Sequence, residues 1–148
     1  NIINSLFLDP AELENHNNRL QAKYDAMKAN EVKYEAYNLE NAEVVIVAYG
    51  TTSRIVRNAI IDLKEQGINV GLIRPITLWP FPEKAFDQIP ENCKAILSVE
   101  MSMGQMIDDI KIAGNGRWPV HFYGRSGGMI PTPEGIIGKV KELVGGAK

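Results

Sequence analysis

The chain has 148 residues, 16 of them Lys or Arg and 18 Asp or Glu, which gives a formal net charge of -2 at pH 7. This length fits one domain with its own core, and the interspersed charges offer no basic face for nucleic acid or for an acidic membrane. No apolar stretch approaches the roughly 20 residues of a membrane-spanning helix, and no signal peptide opens the chain, so we expect a cytoplasmic protein. The single cysteine, Cys93, excludes an internal disulfide and a cysteine-ligated zinc or iron–sulfur site within this chain.

The first 31 residues predict a helical extension. Asp9 is a typical N-cap residue, and Pro10 follows at the first helical position. Apolar residues then recur at sevenfold spacing among polar ones, a thin stripe that is typical of a surface helix or a linker. Since the chain begins with asparagine rather than methionine, we expect residues 1–31 to extend from a missing upstream domain and residues 32–148 to form the domain proper.

Short apolar, β-branched runs then alternate with segments whose apolar residues recur at helical spacing. This alternation predicts a mainly parallel sheet with helices on both faces. The run at 44–49 is continuously apolar, as in a strand covered on both sides. The predicted strands are 32–38, 44–49, 68–73, 95–99 and 120–123, and helices are predicted to open at 51–53, at Pro82, at Met103 and at Thr132.

Residues 71–82 are the most distinctive segment. A buried strand ends at Arg74 and Pro75, and two further prolines bracket Phe81. Each proline fixes its own φ and favours extended backbone in the residue before it, so Trp79 and Phe81 are not expected in a helix. We therefore predict two aromatic side chains held at a sheet end, either as a docking surface or as a lid on the core.

The turn at Gly50 lies between a strand and a helix, where a dinucleotide-binding fold carries its phosphate loop. Only one glycine is present, and neither G-x-G-x-x-G nor a Walker A pattern occurs. We favour a tight turn followed by an N-cap residue among 51–53. A small-ligand or nucleotide-binding α/β module, based on this turn and on the glycine loop around Arg125, is the alternative function.

Residues 124–128 read Gly-Arg-Ser-Gly-Gly and match the G-x-S-x-G pattern, which would make Ser126 a hydrolase nucleophile. A nucleophile elbow passes directly into a helix and is followed later by its histidine. Here other residues intervene before the next predicted helix, and both histidines lie upstream. We therefore favour a glycine loop, because glycine readily supplies the positive φ that such turns need.

Glu100 ends a predicted buried strand. Ser102 and Gln105 have the S-x-x-Q spacing of a capping box, which we favour as their role. Glu100 has no part in that motif. A carboxylate between a strand end and a helix start is stabilised by the helix dipole, and it lies at the edge where open α/β sheets make their contacts. Cys93, in contrast, is expected to be a small buried apolar side chain.

Four segments together resemble one known family: 45–50, 71–82, 98–106 and 123–134. They include the strings Leu-Ile-Arg-Pro-Ile-Thr-Leu-Trp-Pro-Phe-Pro, Val-Glu-Met-Ser-Met-Gly-Gln-Met and Tyr-Gly-Arg-Ser-Gly-Gly-Met-Ile-Pro-Thr-Pro-Glu. On these motifs the chain resembles the C-terminal domain of the alpha subunit of 2-oxoacid:ferredoxin oxidoreductases, most closely the 2-ketoisovalerate type. The resemblance covers residues 34–144.

The resemblance implies an α/β fold like the transketolase C-terminal domain, with three α/β/α layers and a mixed five-stranded sheet. One strand is antiparallel, and 32–38 is the candidate for it. The complete enzyme would oxidatively decarboxylate a branched 2-oxoacid to an acyl-coenzyme A and reduce ferredoxin. It would use thiamine diphosphate, magnesium, 4Fe–4S clusters and coenzyme A. The implied partners are a thiamine-binding beta subunit, a gamma subunit, a ferredoxin-like delta subunit and ferredoxin.

The thiamine-binding G-D-G motif does not occur in this chain, so no catalytic, cofactor-binding or metal-binding residue is assigned. We expect a non-catalytic assembly domain that is inactive alone. The equivalent domain of a 2-oxoglutarate or pyruvate ferredoxin oxidoreductase is the alternative within the family. The expected interface residues lie at strand ends: Arg74, Trp79, Phe81, Glu100, Gln105 and Arg125.

Overall fold

The computed structural model describes residues 5–145, and the chain divides into two compact units, Asn1–Val32 and Lys33–Lys148. In the first unit, helix α1 spans Pro10–Asn30. The carboxylate of Asp9 accepts a backbone amide of the first turn at 2.9 Å, which confirms the predicted helix start. None of the α1 residues is buried among the described residues, as expected for a surface helix.

The second unit is built on a five-stranded sheet. The strands are β1 Tyr34–Tyr37, β2 Val44–Val47, β3 Val70–Pro75, β4 Ala95–Glu100 and β5 Val120–Gly124. Their order across the sheet is β1-β3-β2-β4-β5. Strands β2 to β5 are parallel, whereas β1 is antiparallel to β3. The predicted mixed sheet is confirmed, and its antiparallel strand lies within 32–38 as expected.

Helices cover both faces of the sheet and complete three layers. Helix α2, Gly50–Glu65, and the last helix, α4, Pro133–Gly145, contribute to one apolar cluster. Helix α3, Met106–Gly114, and a short 3-10 helix, Glu83–Gln88, contribute to the cluster on the opposite face. Successive residues of β2 belong alternately to the two clusters, which explains why that strand is apolar throughout. Within residues 5–145, no helix has the length and apolarity needed to cross a membrane.

The start of α2 differs from the prediction. The helix begins at Gly50, whose φ is 57°, and no side chain caps it. Ser53, an expected N-cap candidate, instead donates its hydroxyl to the Gly50 carbonyl at 2.7 Å. The predicted cap among 51–53 is therefore wrong. Because glycine adopts a positive φ without steric cost, the chain turns directly from the strand segment into the helix.

Candidate functional site

The carboxyl ends of β2, β3, β4 and β5 lie at one edge of the sheet because these strands are parallel. Open α/β sheets typically bind their ligands at this edge. We define the carboxyl edge as the strand ends and loops there: residues 48–50, 74–82, 100–105 and 124–132. The six residues expected from the sequence to form an interface all fall in these segments: Arg74, Trp79, Phe81, Glu100, Gln105 and Arg125.

Glu100 is the last residue of β4 and is only 2% exposed. Its carboxylate accepts hydrogen bonds from two serine hydroxyls and from three backbone amides at the start of α3. Oε1 has one donor from β4 and one from α3, whereas the donors to Oε2 come from the following loop and the start of α3. The donors to Oε1 are Ser98 Oγ at 2.7 Å and Ile107 N at 3.0 Å, and those to Oε2 are Ser102 Oγ at 2.8 Å, Gln105 N at 2.9 Å and Met106 N at 3.1 Å.

Two opposing effects set the pKa of the Glu100 carboxyl. Burial, the largest single influence, raises the pKa because a poorly solvated surrounding disfavours the charged form. Hydrogen bonds from the Gln105 amide, the Ser98 and Ser102 hydroxyls and the Met106 amide together outweigh burial and hold the pKa below its ordinary value of 4.5. The carboxyl is therefore ionised at neutral pH, and its charge lies where the α3 dipole stabilises it.

The capping box predicted for Ser102 and Gln105 is wrong. Gln105 does occupy the N-cap position of α3, but its side chain makes no capping hydrogen bond. The Ser102 hydroxyl donates to Glu100 and accepts the Gly104 amide at 3.1 Å. Glu100 takes over the capping role because the end of β4 places its carboxylate against the free amides of the helix.

The loop between β4 and α3, residues 101–105, is also held by β5. The Arg125 amide donates to the Glu100 carbonyl at 3.1 Å. A Cβ on Gly124 would come within 2.5 Å of the Ser102 carbonyl oxygen, so only glycine lets the two backbones approach this closely. Gly104 has a φ of 103°, and a Cβ there would lie 3.6 Å from the Phe122 ring. The loop is thus held by Glu100 and braced by β5.

Arg74 lies at the end of β3, and its guanidinium pairs with Glu35 of β1 at 3.0 Å. Glu35 also pairs with Arg57 of α2 at 2.8 Å. Arg57 in turn lies 5.0 Å from the centre of the Tyr37 ring. Arg74 therefore links the antiparallel edge strand to the rest of the sheet.

The aromatic segment after β3 is not helical, as predicted, and its two aromatic side chains have different surroundings. Trp79, which precedes Pro80 through a cis peptide bond, is 51% exposed. Phe81 is partly buried and packs on the core, with its ring centre 6.0 Å from that of Phe86. One aromatic residue is thus displayed at the carboxyl edge, and the other helps to close the core beneath it.

The segment after β5 is a glycine loop, as predicted. Gly127 and Gly128 have φ values of 64° and 86°, and α4 begins only at Pro133. Thr132 caps α4 by accepting the Gly135 amide at 3.2 Å. Ser126 is exposed on this loop and does not open a helix, so it lacks the setting of a nucleophile elbow.

Sequence reasoning missed most of the exposed apolar side chains at the carboxyl edge. Within residues 33–145, eight of the eleven large apolar side chains that are exposed lie there. Met103, which the periodicity placed on a helix, is outside α3 and is 81% exposed. One feature of the sequence could have predicted them. Apolar residues occur in the glycine- and proline-rich segments that follow each parallel strand, where polar residues are usual. The eight are Tyr49, Ile76, Leu78, Trp79, Met101, Met103, Met129 and Ile130.

The donor atoms of this chain do not fit an iron–sulfur cluster. Its single cysteine, Cys93, is buried in the apolar cluster on the α3 face. Within the described part of the chain, no group of three or more His, Cys, Asp or Glu residues could hold a metal ion. The carboxylate of Glu100 is already saturated with hydrogen bonds from its own chain.

The three layers, the strand order and the single antiparallel edge strand define a domain of the transketolase C-terminal type. A split-gene transketolase, solved as an inactive beta4 tetramer, shares this fold with a TM-score of 0.58 over 75% of this chain and 41% of that chain, at 14% identity. The sequence also matches the pyruvate:ferredoxin oxidoreductase core domain II over residues 42–136, and the chain belongs to this family.

Several relatives extend the comparison. The chain is 46% identical over 145 residues to ketoisovalerate oxidoreductase subunit VorB of Methanothermobacter marburgensis, which covers 98% of this chain and 41% of that relative. It is 32% identical over 101 residues to 2-oxoglutarate synthase subunit KorA of the same organism, which covers 68% of this chain and 27% of the relative. The chain therefore spans less than half the length of the curated relatives it matches.

A solved structure of 2-oxoglutarate:ferredoxin oxidoreductase from Magnetococcus marinus, with 2-oxoglutarate, coenzyme A and succinyl-CoA bound, is also similar. Its TM-score is 0.76 at 27% identity, over 93% of this chain and 24% of that chain. The sequence matches and the structural match thus agree on the family and on the fold.

Proposed function

We propose that this chain is a non-catalytic assembly domain of a 2-oxoacid:ferredoxin oxidoreductase that acts on 2-ketoisovalerate. The complete enzyme would convert this branched 2-oxoacid, coenzyme A and oxidised ferredoxin into an acyl-coenzyme A, carbon dioxide and reduced ferredoxin. The substrate assignment rests on the 46% identity to a ketoisovalerate oxidoreductase subunit, against 32% to a 2-oxoglutarate synthase subunit.

The carboxyl edge carries the assembly part of the proposal. Eight exposed apolar side chains are concentrated in the loops that follow four parallel strands. Exposed apolar surface of this kind is costly in water and marks interaction sites in soluble proteins. The relatives are named as subunits of larger enzymes, so the occupant we propose is another subunit of the same oxidoreductase.

The six expected interface residues receive different roles in this proposal. Trp79, Gln105 and Arg125 reach the surface and would contact the partner directly. The other three would support that surface from within: Arg74 through its ion pair with Glu35, Phe81 through its contact with the core, and Glu100 through its hydrogen bonds.

Other parts of the oxidoreductase would supply the chemistry. Thiamine diphosphate with magnesium, the 4Fe–4S clusters and the coenzyme A site would belong to the upstream domain and to the beta, gamma and delta subunits, and ferredoxin would accept the electrons. Residues 1–31 would form the helical connection to that upstream domain. This division of labour agrees with the single buried cysteine of this chain.

A charge placed in the carboxyl edge tests the assembly role. In the oxidoreductase produced from co-expressed subunits, Met103→Glu should weaken subunit association at least about tenfold, because interface centres tolerate buried charge poorly. Ile112→Glu is the matched control, since Ile112 is 69% exposed on α3 outside the carboxyl edge. Native mass spectrometry over a dilution series measures both variants, and equal behaviour of the two would contradict the proposal.

Calorimetry on the isolated chain tests the alternative. We expect no measurable binding of thiamine diphosphate, nucleotides, phosphate or coenzyme A, and no turnover of 2-ketoisovalerate. Nucleotide or phosphate affinity would instead support a small-ligand module at the Gly50 turn or the Arg125 loop. In the complete enzyme, a higher kcat/KM for 2-oxoglutarate or pyruvate than for 2-ketoisovalerate would refute the substrate assignment.

A further inference from the structure

The carboxylate of Glu100 accepts hydrogen bonds from three consecutive segments of the chain. The Ser98 hydroxyl reaches it from within β4, the Ser102 hydroxyl from the following loop, and three successive amides from the start of α3. The residues between these contacts include Met101 and Met103, which are 46% and 81% exposed. The two methionines thus lie in a short loop whose two ends are both fixed by one buried side chain.

Only an ionised carboxylate fits this arrangement of donors. Three of the five donors meet at Oε2 and two at Oε1. A glutamine at position 100 would replace one oxygen with an NH2 group, which would then face amide donors instead of accepting from them. The loss is larger than that of one ordinary hydrogen bond, because buried backbone amides would be left without an acceptor.

The β5 side of the loop leaves little room for an alternative conformation. A Cβ on Gly124 would lie 2.5 Å from the Ser102 carbonyl oxygen, and a Cβ on Gly104 would lie 3.6 Å from the Phe122 ring. These contacts restrict movement of the loop towards β5. On the α3 side the loop is held by the hydrogen bonds that Glu100 accepts from Ser102 and Gln105, so the positions of Met101 and Met103 depend on the carboxylate.

We propose that Glu100 is a positioning residue for assembly: it holds residues 101–105 in the conformation that presents Met101 and Met103 to another subunit of the oxidoreductase, without itself touching that subunit. This inference rests on the proposed function, because it assigns to one buried residue the control of the carboxyl-edge contact. Preorganisation lowers the entropy cost of binding, so a loop held in this way binds more tightly than a loose one with the same side chains.

A double-mutant cycle in the co-expressed oxidoreductase tests the inference. The variants are Glu100→Gln, the pair Met101→Ala with Met103→Ala, and all three substitutions combined. Glu100→Gln and the methionine pair should each weaken subunit association about tenfold. If Glu100 acts through the loop, subunit association in the combined variant should be no weaker than in the more impaired of Glu100→Gln and the methionine pair. The reason is that the methionine contacts can be lost only once.

The outcomes separate this inference from the proposed function. If Met101→Ala with Met103→Ala leaves subunit association unchanged, the proposed contact at the carboxyl edge is refuted. If the two effects multiply to about a hundredfold, the contact stands but Glu100 does not act through it. Ser102→Ala provides a second, milder variant should Glu100→Gln fail to fold, because it removes one donor and leaves the other four. Ser102→Ala should weaken subunit association in the wild type but not in the variant that carries Met101→Ala and Met103→Ala. Ser126→Ala, at an exposed serine, is the control and should have no effect in either protein.

Discussion

The Oε1 atom of Glu100 lies 3.0 Å from the amide nitrogen of Ile107, seven positions later in the chain. Through this bond the end of a strand caps the following helix across a loop of five residues, 101–105. The cap requires the ionised carboxyl, since a protonated carboxyl has fewer acceptor sites and a donor of its own. The stability of the domain should therefore depend on pH through this residue.

Acid should remove the contribution of Glu100. The native pKa is below the ordinary 4.5, so the unfolded chain binds the proton more readily than the folded chain does. The stabilisation is complete above the ordinary pKa, declines as the pH falls below it, and is lost below the depressed native pKa. We expect the difference in unfolding free energy between the wild type and Glu100→Gln to be largest at about pH 7 and to shrink below about pH 4.5.

Urea unfolding of both proteins at several pH values measures this difference. Glu83→Gln, at an exposed position of the 3-10 helix, controls for the loss of one negative charge. A difference between the wild type and Glu100→Gln that stays constant down to about pH 3 would show that the charge of Glu100 is not what stabilises the cap.

Gly124→Ala should destabilise the domain by about 1 to 3 kcal/mol, because the added methyl group would meet the Ser102 carbonyl, a backbone atom that cannot rotate away. Gly138→Ala is the matched control. A Cβ at Gly138, within α4, meets nothing within 4 Å, so alanine should stabilise that helix by about 0.5 to 1 kcal/mol. Unfolding free energies of the two variants should therefore change in opposite directions, and equal changes would exclude the tight contact at Gly124.

The sequence was sufficient to predict the succession of strands and helices along the chain, but not the contacts at the carboxyl edge. Continuous apolar runs such as β2 have a strong local signal, because both faces of the strand are covered. The cap of α3 has no such signal, since Glu100 reaches the helix only after the sheet has positioned it. The spacing of Ser102 and Gln105 matched a known motif, yet a stronger acceptor from β4 displaced it.

The difference between Trp79 and Phe81 was also beyond local reasoning. The prolines predicted that neither residue lies in a helix, and neither does. Which of the two aromatic rings meets the core depends on where the 3-10 helix brings Phe86, and the sequence of this segment alone does not specify that.

Cys93 should resist thiol reagents in the folded protein. Burial raises the pKa of its thiol above the ordinary 9.0, although backbone hydrogen bonds at Ala95 and Val45 act in the opposite direction. The thiol is therefore neutral at pH 7 and shielded by the core, and both properties slow its reaction. Modification by a chromogenic disulfide should be slow in buffer and rapid in urea, with one thiol per chain. Rapid modification in buffer would show that this part of the core opens readily.

The two aromatic residues of the segment after β3 should respond differently to truncation. Phe81→Ala should lower the unfolding free energy by about 1 to 3 kcal/mol, because it removes a ring that packs on Phe86. Trp79→Ala should change it by less than about 1 kcal/mol, since half of that side chain is already exposed. In the co-expressed oxidoreductase, Trp79→Ala should weaken subunit association more than Phe81→Ala does, when both variants are measured under conditions in which they are fully folded.

Two outcomes would contradict the docking role of Trp79. If Trp79→Ala unfolds the domain, Trp79 is a lid on the core. If it leaves both stability and association unchanged, Trp79 is neither a lid nor a docking contact.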